Sequence, residues 1–388
     1  MTTTLENPST PFSAEQARAN DADRINEIAQ FNAGELSTIH EMVNNADTLF
    51  TWDYSKGARP KLEKLYEKAK RSQWNAETDL DWSIEVDPTN ILLPVENVPP
   101  TIEDLSGPGS PVRKWQDDDW AKFNTEVVAW RLSQFLHGEQ GALVCTGKIV
   151  ETVPWIDAKY YAATQVVDEA RHVEVFGKYL NEKIGNTYPI NPHLRLLLDD
   201  IIEDSRWDMT YLGMQIMVEG LALAAFGFMR NLTAEPLLKQ LLRYVMADEA
   251  RHVAFGVISL QEFYQELTAA EIRERQVFAY EAALRMRDRF LAQEVWERLG
   301  VPSKQMVEIF LALPMEKLTF QQLLFSRIVP NCRKLGLLDA ADGWLRDRFT
   351  ELGVIEFEHL EDTSEDYETY AAMENSQELE ETASQSQQ

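Results

Sequence analysis

Two identical hexapeptides, Asp168-Glu169-Ala170-Arg171-His172-Val173 and Asp248-Glu249-Ala250-Arg251-His252-Val253, stand 80 residues apart in this chain. In each, a glutamate precedes a histidine by three positions. On an α-helix, positions i and i+3 share a face, so carboxylate and imidazole converge on a common point. That is metal-ligand spacing. Thirty residues upstream of Glu169 lies Glu139, and thirty upstream of Glu249 lies Glu219, so three donors repeat as a set at one offset (139 to 219, 169 to 249, 172 to 252).

Both upstream glutamates sit in apolar runs, Phe135 to Val144 and Met214 to Leu223. A carboxylate in such a run is costly to bury unless something compensates it. Two divalent cations would bring four positive charges against the four carboxylates of Glu139, Glu169, Glu219 and Glu249, with His172 and His252 as neutral donors. A single Glu-x-x-His is more often a surface pair on an amphipathic helix. Two identical copies with equally spaced upstream glutamates leave that explanation with four buried, uncompensated carboxylates. The remaining histidines, His40, His137, His193 and His359, read as ordinary, and His137 lies about 200° around the helix from Glu139.

Helices must carry these donors. Four long helical stretches are expected at roughly 116 to 149, 155 to 185, 193 to 231 and 234 to 267, each bearing one ligand group. Pro154, Gly185, Pro189, Pro192 and a capping Thr233 ahead of Pro236 mark their limits. The acidic run Asp117-Asp118-Asp119 suits a helix start through the macrodipole. Upstream, residues 13 to 50 carry helical spacing with Ser13 as a cap, residues 60 to 73 read as an amphipathic helix, and a proline-rich connection runs from Trp82 to Pro111. Downstream, a helix is expected at 269 to 298, ending near Gly300, followed by shorter ones at 303 to 312, 316 to 334 and 339 to 352.

The expected organisation is therefore an all-α chain. N-terminal helices and a proline-rich connection occupy 1–114, a four-helix di-metal bundle 115–267, a C-terminal helical extension 268–360 and an acidic, disordered tail 361–388. The 388 residues, 44% hydrophobic, suffice for a substantial core. A formal charge of −27, with 64 acidic against 37 basic residues, repels phosphate backbones, so nucleic acid is an unsuitable partner. Two cysteines, Cys145 and Cys332, and a polar amino terminus suit a reduced cytoplasm without disulfides. The apolar run from Gly213 to Phe228 is interrupted by Gln215 and Glu219 and reads as a buried bundle helix, with no membrane span expected.

Glu139, the Asp168–His172 motif, Glu219 and the Asp248–His252 motif together resemble the ferritin-like di-iron carboxylate superfamily over residues 115 to 267. The Asp-Glu-x-Arg-His form is similar to that of the hydroxylase subunits of bacterial multicomponent monooxygenases and of related oxygenases and desaturases. The resemblance implies that Glu139, Glu169, His172, Glu219, Glu249 and His252 are catalytic iron ligands, with two carboxylates bridging two iron ions (Fe2+/Fe3+). Asp168 and Asp248 would accept from the imidazole of the opposite copy, and Arg171 and Arg251 would pair with those aspartates. Four residues after His172 stands Phe176, where radical-generating reductase subunits carry tyrosine, so that reading drops. No histidine at Ala222, Leu223 or Phe226 offers the seventh ligand of related N-oxygenases.

The function these observations favour is an O2-activating di-iron oxygenase, a hydroxylase or monooxygenase of a small, mostly apolar organic molecule. No glycine-rich nucleotide fingerprint is present, so electrons would come from a separate reductase or ferredoxin. A homodimer is compatible with this reading. Manganese in place of iron, as in a di-manganese catalase, a ferroxidase, and a desaturase or N-oxygenase-like oxidase are alternatives within metal chemistry. A non-catalytic, metal-stabilised interaction protein is the alternative outside it. Candidate pocket walls by spacing are Leu143, Phe176, Leu223 and Phe226, while Cys145 and Thr146 read as core.

Overall fold

The structure, a computed structural model, describes residues 40–360 apart from 43, 45, 56, 93–99 and 315–317. The expected helical spacing before residue 40, with Ser13, and the acidic tail at 361–388 lie outside the described residues. Residues 40–55, where they are described, are irregular rather than helical.

In chain order the α-helices are α1 (Pro60–Arg71), α2 (Ile102–Leu105), α3 (Asp117–Thr152), α4 (Ile156–Tyr179), α5 (Pro192–Glu203), α6 (Trp207–Leu232), α7 (Pro236–Phe263), α8 (Ala269–Asp288), α9 (Gln293–Arg298), α10 (Ser303–Ala312), α11 (Thr319–Lys334) and α12 (Trp344–Glu351). Among the described residues there is no β-sheet; one isolated bridge joins Leu92 to Thr233. The architecture is an all-α bundle built on α3, α4, α6 and α7, with further helices on both sides in sequence.

Helix α3 begins where the acidic run predicts. Asp119 accepts a hydrogen bond from the Gln116 amide at 2.9 Å, and its carboxylate also meets the positive end of the helix. At 36 residues α3 spans about 54 Å, the height of the bundle. Glu235, not Thr233, caps α7: its carboxylate accepts from the amides of Leu237 and Leu238 at 2.8 and 2.7 Å, while Thr233 donates to Ile91 O.

The stretch expected as one helix from 193 to 231 is two. Asp204 turns extended, its carboxylate accepts from the Arg206 amide and guanidinium, and Lys148 donates to the freed carbonyls of Ile202 and Asp204. A polar side chain that satisfies the backbone locally competes with helix continuation, and here it wins. The helix expected at 269 to 298 is likewise interrupted, by Ala292 at a positive φ of 48°.

Within α6, Leu212–Val218 forms a π-turn, and the Glu219 amide bonds back five residues to Met214 O. Such turns are rare and re-aim the residues that follow. Two glycines let neighbours approach this turn. A Cβ at Gly213 would stand 2.4 Å from Ile201 Cγ1 on α5, and one at Gly256 would stand 2.5 Å from Gln215 Cβ on α7's side of the turn. Helix α6 as a whole is 26 residues long and apolar enough to cross a membrane by composition, yet 78% of its most apolar stretch is buried inside the bundle.

The core divides at mid-height. One apolar cluster takes the residues of α3 and α6 on one side of Glu139 and Glu219 (Val128, Leu132, Phe135; Leu223, Phe226), together with Val175 and Phe176 beyond His172 and the start of α7. A second takes Ala142, Cys145 and Ile149, then Tyr161, Tyr211 and Phe255. The layer between them holds the six donors.

Candidate metal centre

Helices α3, α4, α6 and α7 bring Glu139, Glu169 with His172, Glu219, and Glu249 with His252 into that layer, all six buried. Glu139, Glu169, His172 and Glu249 each place one donor atom within 4.8 Å of the others, and Glu169, Glu219 and His252 form a second such group. Glu169 belongs to both. Its Oε2 lies 3.4 Å from His172 Nδ1 and its Oε1 3.1 Å from His252 Nδ1. Glu249 repeats the pattern, with Oε1 3.1 Å from His172 Nδ1 and Oε2 3.6 Å from His252 Nδ1. Two carboxylates thus turn one oxygen towards each imidazole, while Glu139 stands beside His172 alone, Oε2 at 3.1 Å from Nδ1.

Around these lies a ring of charge. Asp248 Oδ2 faces His172 Nε2 at 3.2 Å, and Asp168 Oδ2 faces His252 Nε2 at 3.3 Å, each aspartate serving the opposite copy. A proton held on Nε2 leaves Nδ1 with its lone pair towards the centre. Arg171 bonds Asp168 and reaches Asp248 at 3.3 Å; Arg251 bonds Asp248 and reaches Asp168 at 3.5 Å.

The donor set suits a pair of divalent cations. Glu169 Oε2, Glu219 Oε2, both oxygens of Glu249 and His252 Nδ1 are buried without a hydrogen-bond partner, a condition that native interiors rarely tolerate. Carboxylate oxygen with imidazole nitrogen matches iron and manganese.

Without metal the cluster balances itself with protons. Burial and the charge of Glu249 push Glu139 up to about 8, and burial with the charge of Glu169 raises Glu219 well above the usual carboxylate range. Burial works against charge on the imidazoles, but Glu139 beside His172, and Glu169 and Glu249 beside His252, carry both well above the ordinary histidine value. Burial opposes ionisation of Glu169 as well, and the two imidazoles reverse it. One proton on each of Glu139, Glu219, His172 and His252 makes four positive charges, the charge of two divalent ions.

A pH dependence follows. All four groups have folded-state pKa values above the unfolded ones, so their contribution to stability is whole below the unfolded values and is lost as pH rises through the folded ones. The melting temperature of the metal-free protein is expected to fall between pH 5 and 8.5, through the titration of Glu139 near 8. Metal affinity should rise over the same window, because cations displace those protons. Calorimetry in buffers of different ionisation enthalpy should count up to four protons released for two ions at the low end of the window. A metal-free melting temperature that climbs from pH 5 to 8.5 would contradict this account.

Three residues at the centre escaped the sequence reading. Trp74 Nε1 donates to Asp248 Oδ2 at 2.8 Å, and Gln73 both donates to Asp168 Oδ1 at 3.2 Å and accepts from Arg171 at 2.6 Å. Both follow α1, whose buried face of Leu62, Leu65 and Ala69 seats that segment on the bundle. Nothing in their local sequence marks them. Gln165, one turn before Glu169, donates to Glu169 Oε1 and Glu219 Oε1, both at 2.9 Å. Its counterpart 80 residues on is Val245, so the two halves of the site differ here. Its position i−4 to a proposed ligand was a signal that could have been read.

The other histidines lie elsewhere: His40 meets Asp199, His137 the Tyr188 carbonyl and His359 Arg333. A cavity of about 20 Å³, room for about one water molecule, touches Glu139, Glu219 and Glu249. Of the four walls expected from spacing, only Phe226 lines it; Phe176 stacks behind Phe226 at 5.6 Å. Cys145 and Thr146 are buried outside its lining.

No family model matches the chain, and no curated protein matches it. Solved structures do. A variant of an R2-like ligand-binding oxidase with an anaerobically reconstituted Mn/Fe cofactor aligns at 17% identity over 73% of this chain and 95% of that one, with a TM-score of 0.49. An R2-like ligand-binding oxidase with an aerobically reconstituted Mn/Fe cofactor aligns at 16% identity over 73% and 94%, with a TM-score of 0.47. At such identities and TM-scores the likeness says nothing of metal, ligand or reaction.

Proposed function

We propose that this chain is an O2-activating di-metal oxidase, with iron as the leading metal and manganese the alternative, and that it oxygenates a small, mostly apolar organic molecule. The observation that carries this reading is the sharing of Glu169 and Glu249 between two imidazoles in a buried layer, beside a cavity whose lining includes Phe135, Leu221 and Phe226. Six protein donors for two ions leave coordination positions to exogenous ligands. A bound, reduced metal pair would supply the electrons by which dioxygen is activated.

The protein's own residues prepare that chemistry. Asp168 and Asp248 fix both imidazoles by their Nε2 atoms, so that Nδ1 meets a cation without reorganisation. Arg171 and Arg251 neutralise the aspartates and keep the centre's balance with two cations near zero. Phe135, Phe176 and Phe226 pack against one another at ring distances of 4.7 to 5.9 Å and exclude water from the side on which the cavity lies. A monooxygenase consumes two external electrons per turnover, and a separate reductase or ferredoxin would deliver them.

The cavity's size favours a second reading, in which the only reactants are dioxygen, peroxide or ferrous iron, as in a catalase or ferroxidase. One experiment separates the two. The full chain is loaded anaerobically with ferrous ion, its metal content is counted, and oxygen is admitted with and without a panel of small organic acids and hydrocarbons. Two ions per chain, rapid oxygen uptake and an oxidised organic product are expected. Uptake without product, or peroxide disproportionation with manganese bound, would select the second reading. A reduced protein indifferent to air would end both.

A further inference from the structure

Arg289 lies in the single 3-10 turn (Arg289–Leu291) between α8 and α9, and only 5% of it is exposed. It lines the same cavity as Glu139, Glu219 and Glu249. Those carboxylates are turned to the imidazoles, and among the described residues no carboxylate lies within ion-pair distance of the guanidinium. Its contacts are Met286 Sδ at 3.7 Å and the face of Phe290 at 4.8 Å, and its Nε is buried with no partner. The contrast with other buried arginines is sharp. Arg251 is paired with Asp248, and Arg275 is held by both oxygens of Asp208 at 2.9 and 3.1 Å.

A buried, unpaired cation is among the costlier things a fold can keep. Burial alone, with no opposing charge, presses Arg289 down to about 10. Nothing in the packing of α8 requires a guanidinium there. A ligand does, if it is an anion.

We propose that Arg289 anchors the carboxylate of an organic acid whose apolar body lies along Phe135, Leu221 and Phe226, beside the metal pair. The proposal deepens the oxygenase reading, and rests on it for the fate of the ligand but not for its binding. A planar guanidinium matches a carboxylate with two parallel hydrogen bonds, and one arginine balances one negative charge. The rest of the wall is mostly hydrocarbon and three glutamates share the cavity, which disfavours a polyanion such as a nucleotide. Because the cavity holds only about 20 Å³, the phenylalanines must part for the acid to enter, and short acids should be admitted first.

The test uses the full chain, metal-free and loaded, with hexanoate and 1-hexanol as probes, titrated calorimetrically into the native sequence, Arg289→Met, Arg289→Gln and Arg289→Lys. The native protein should bind hexanoate at least ~10-fold tighter than hexanol in both metal states, as expected for one charge-assisted pair. Arg289→Met and Arg289→Gln should lose that preference while hexanol affinity and metal content stay unchanged, and Arg289→Lys should keep part of it. Equal binding of the two probes by the native protein would overturn the proposal without any variant. A preference that survives in Arg289→Gln would also overturn it, since the carboxylate would then sit on the metals. Should the chain bind no metal, the oxygenase reading fails, yet the metal-free titration still decides the role of Arg289.

Discussion

Glu169→Ala is expected to abolish binding of both metal ions, whereas Glu139→Ala should abolish one. The difference comes from geometry. Glu169 is the residue common to both donor groups, with one oxygen 3.4 Å from His172 and the other 3.1 Å from His252, while Glu139 belongs only to the group around His172. Loss of an outer hydrogen-bonding partner costs a metal site about 10- to 100-fold in affinity, and loss of a shared ligand should exceed about 100-fold for each ion. Metal content after dialysis against a weak chelator gives the readout: two per chain for the native protein, one for Glu139→Ala and close to none for Glu169→Ala. Were Glu169→Ala to retain two ions with affinities near native, the shared role assigned to this carboxylate would be wrong.

The second large effect concerns stability. Arg251 is fully buried, bonded to Asp248 and to the Ala247 carbonyl, and 3.5 Å from Asp168. Burial penalises its charge, and the two aspartates overcome the penalty. Arg251→Met nearly preserves volume but removes one of the two cations that serve the buried Asp168 and Asp248, and breaking a buried pair in this way costs about 3–5 kcal/mol. That is a large part of the roughly 5–15 kcal/mol by which folded domains are stable. Arg171→Met should cost less, because Arg171 sits at the rim, and Trp74 and Gln73 still donate to the aspartates. Urea denaturation of the metal-free proteins, read at the midpoint with the slope checked for constancy, compares the two. An Arg251→Met midpoint indistinguishable from native would mean that the aspartates are stabilised by something other than this ring.

The ring also explains why neither aspartate is simply a helix residue that happens to precede a ligand. The motif's four polar members divide into two jobs that only make sense together. Glutamate and histidine point to the centre, and aspartate and arginine point to the partner helix. Because each aspartate serves the histidine of the other copy, α4 and α7 cannot shift past each other without breaking both imidazole contacts at once. The two copies are thereby locked in register by polar contacts in a layer where apolar packing is interrupted.

Much of this was legible in the chain itself, because helical periodicity translates spacing directly into facing. The i, i+3 relation between Glu169 and His172 and its repeat at Glu249 and His252 determines that each pair shares a face. The cost of burying four carboxylates then requires the faces to meet, around positive charge. The starts of α1, α3 and α10 also followed from local signals: a proline at or just before the first turn and an acidic start. What tertiary structure alone decided are the relations between segments distant in sequence, for which no local energy term speaks. The carbonyls freed at the Asp204 break are satisfied by Lys148 from another helix, and the π-turn before Glu219 is packed closely through two glycines. Trp74 and Gln73 enter the centre from a segment nearly a hundred residues upstream of Asp168. Arg289 became conspicuous only when the fold had surrounded it with apolar side chains and left its charge unanswered.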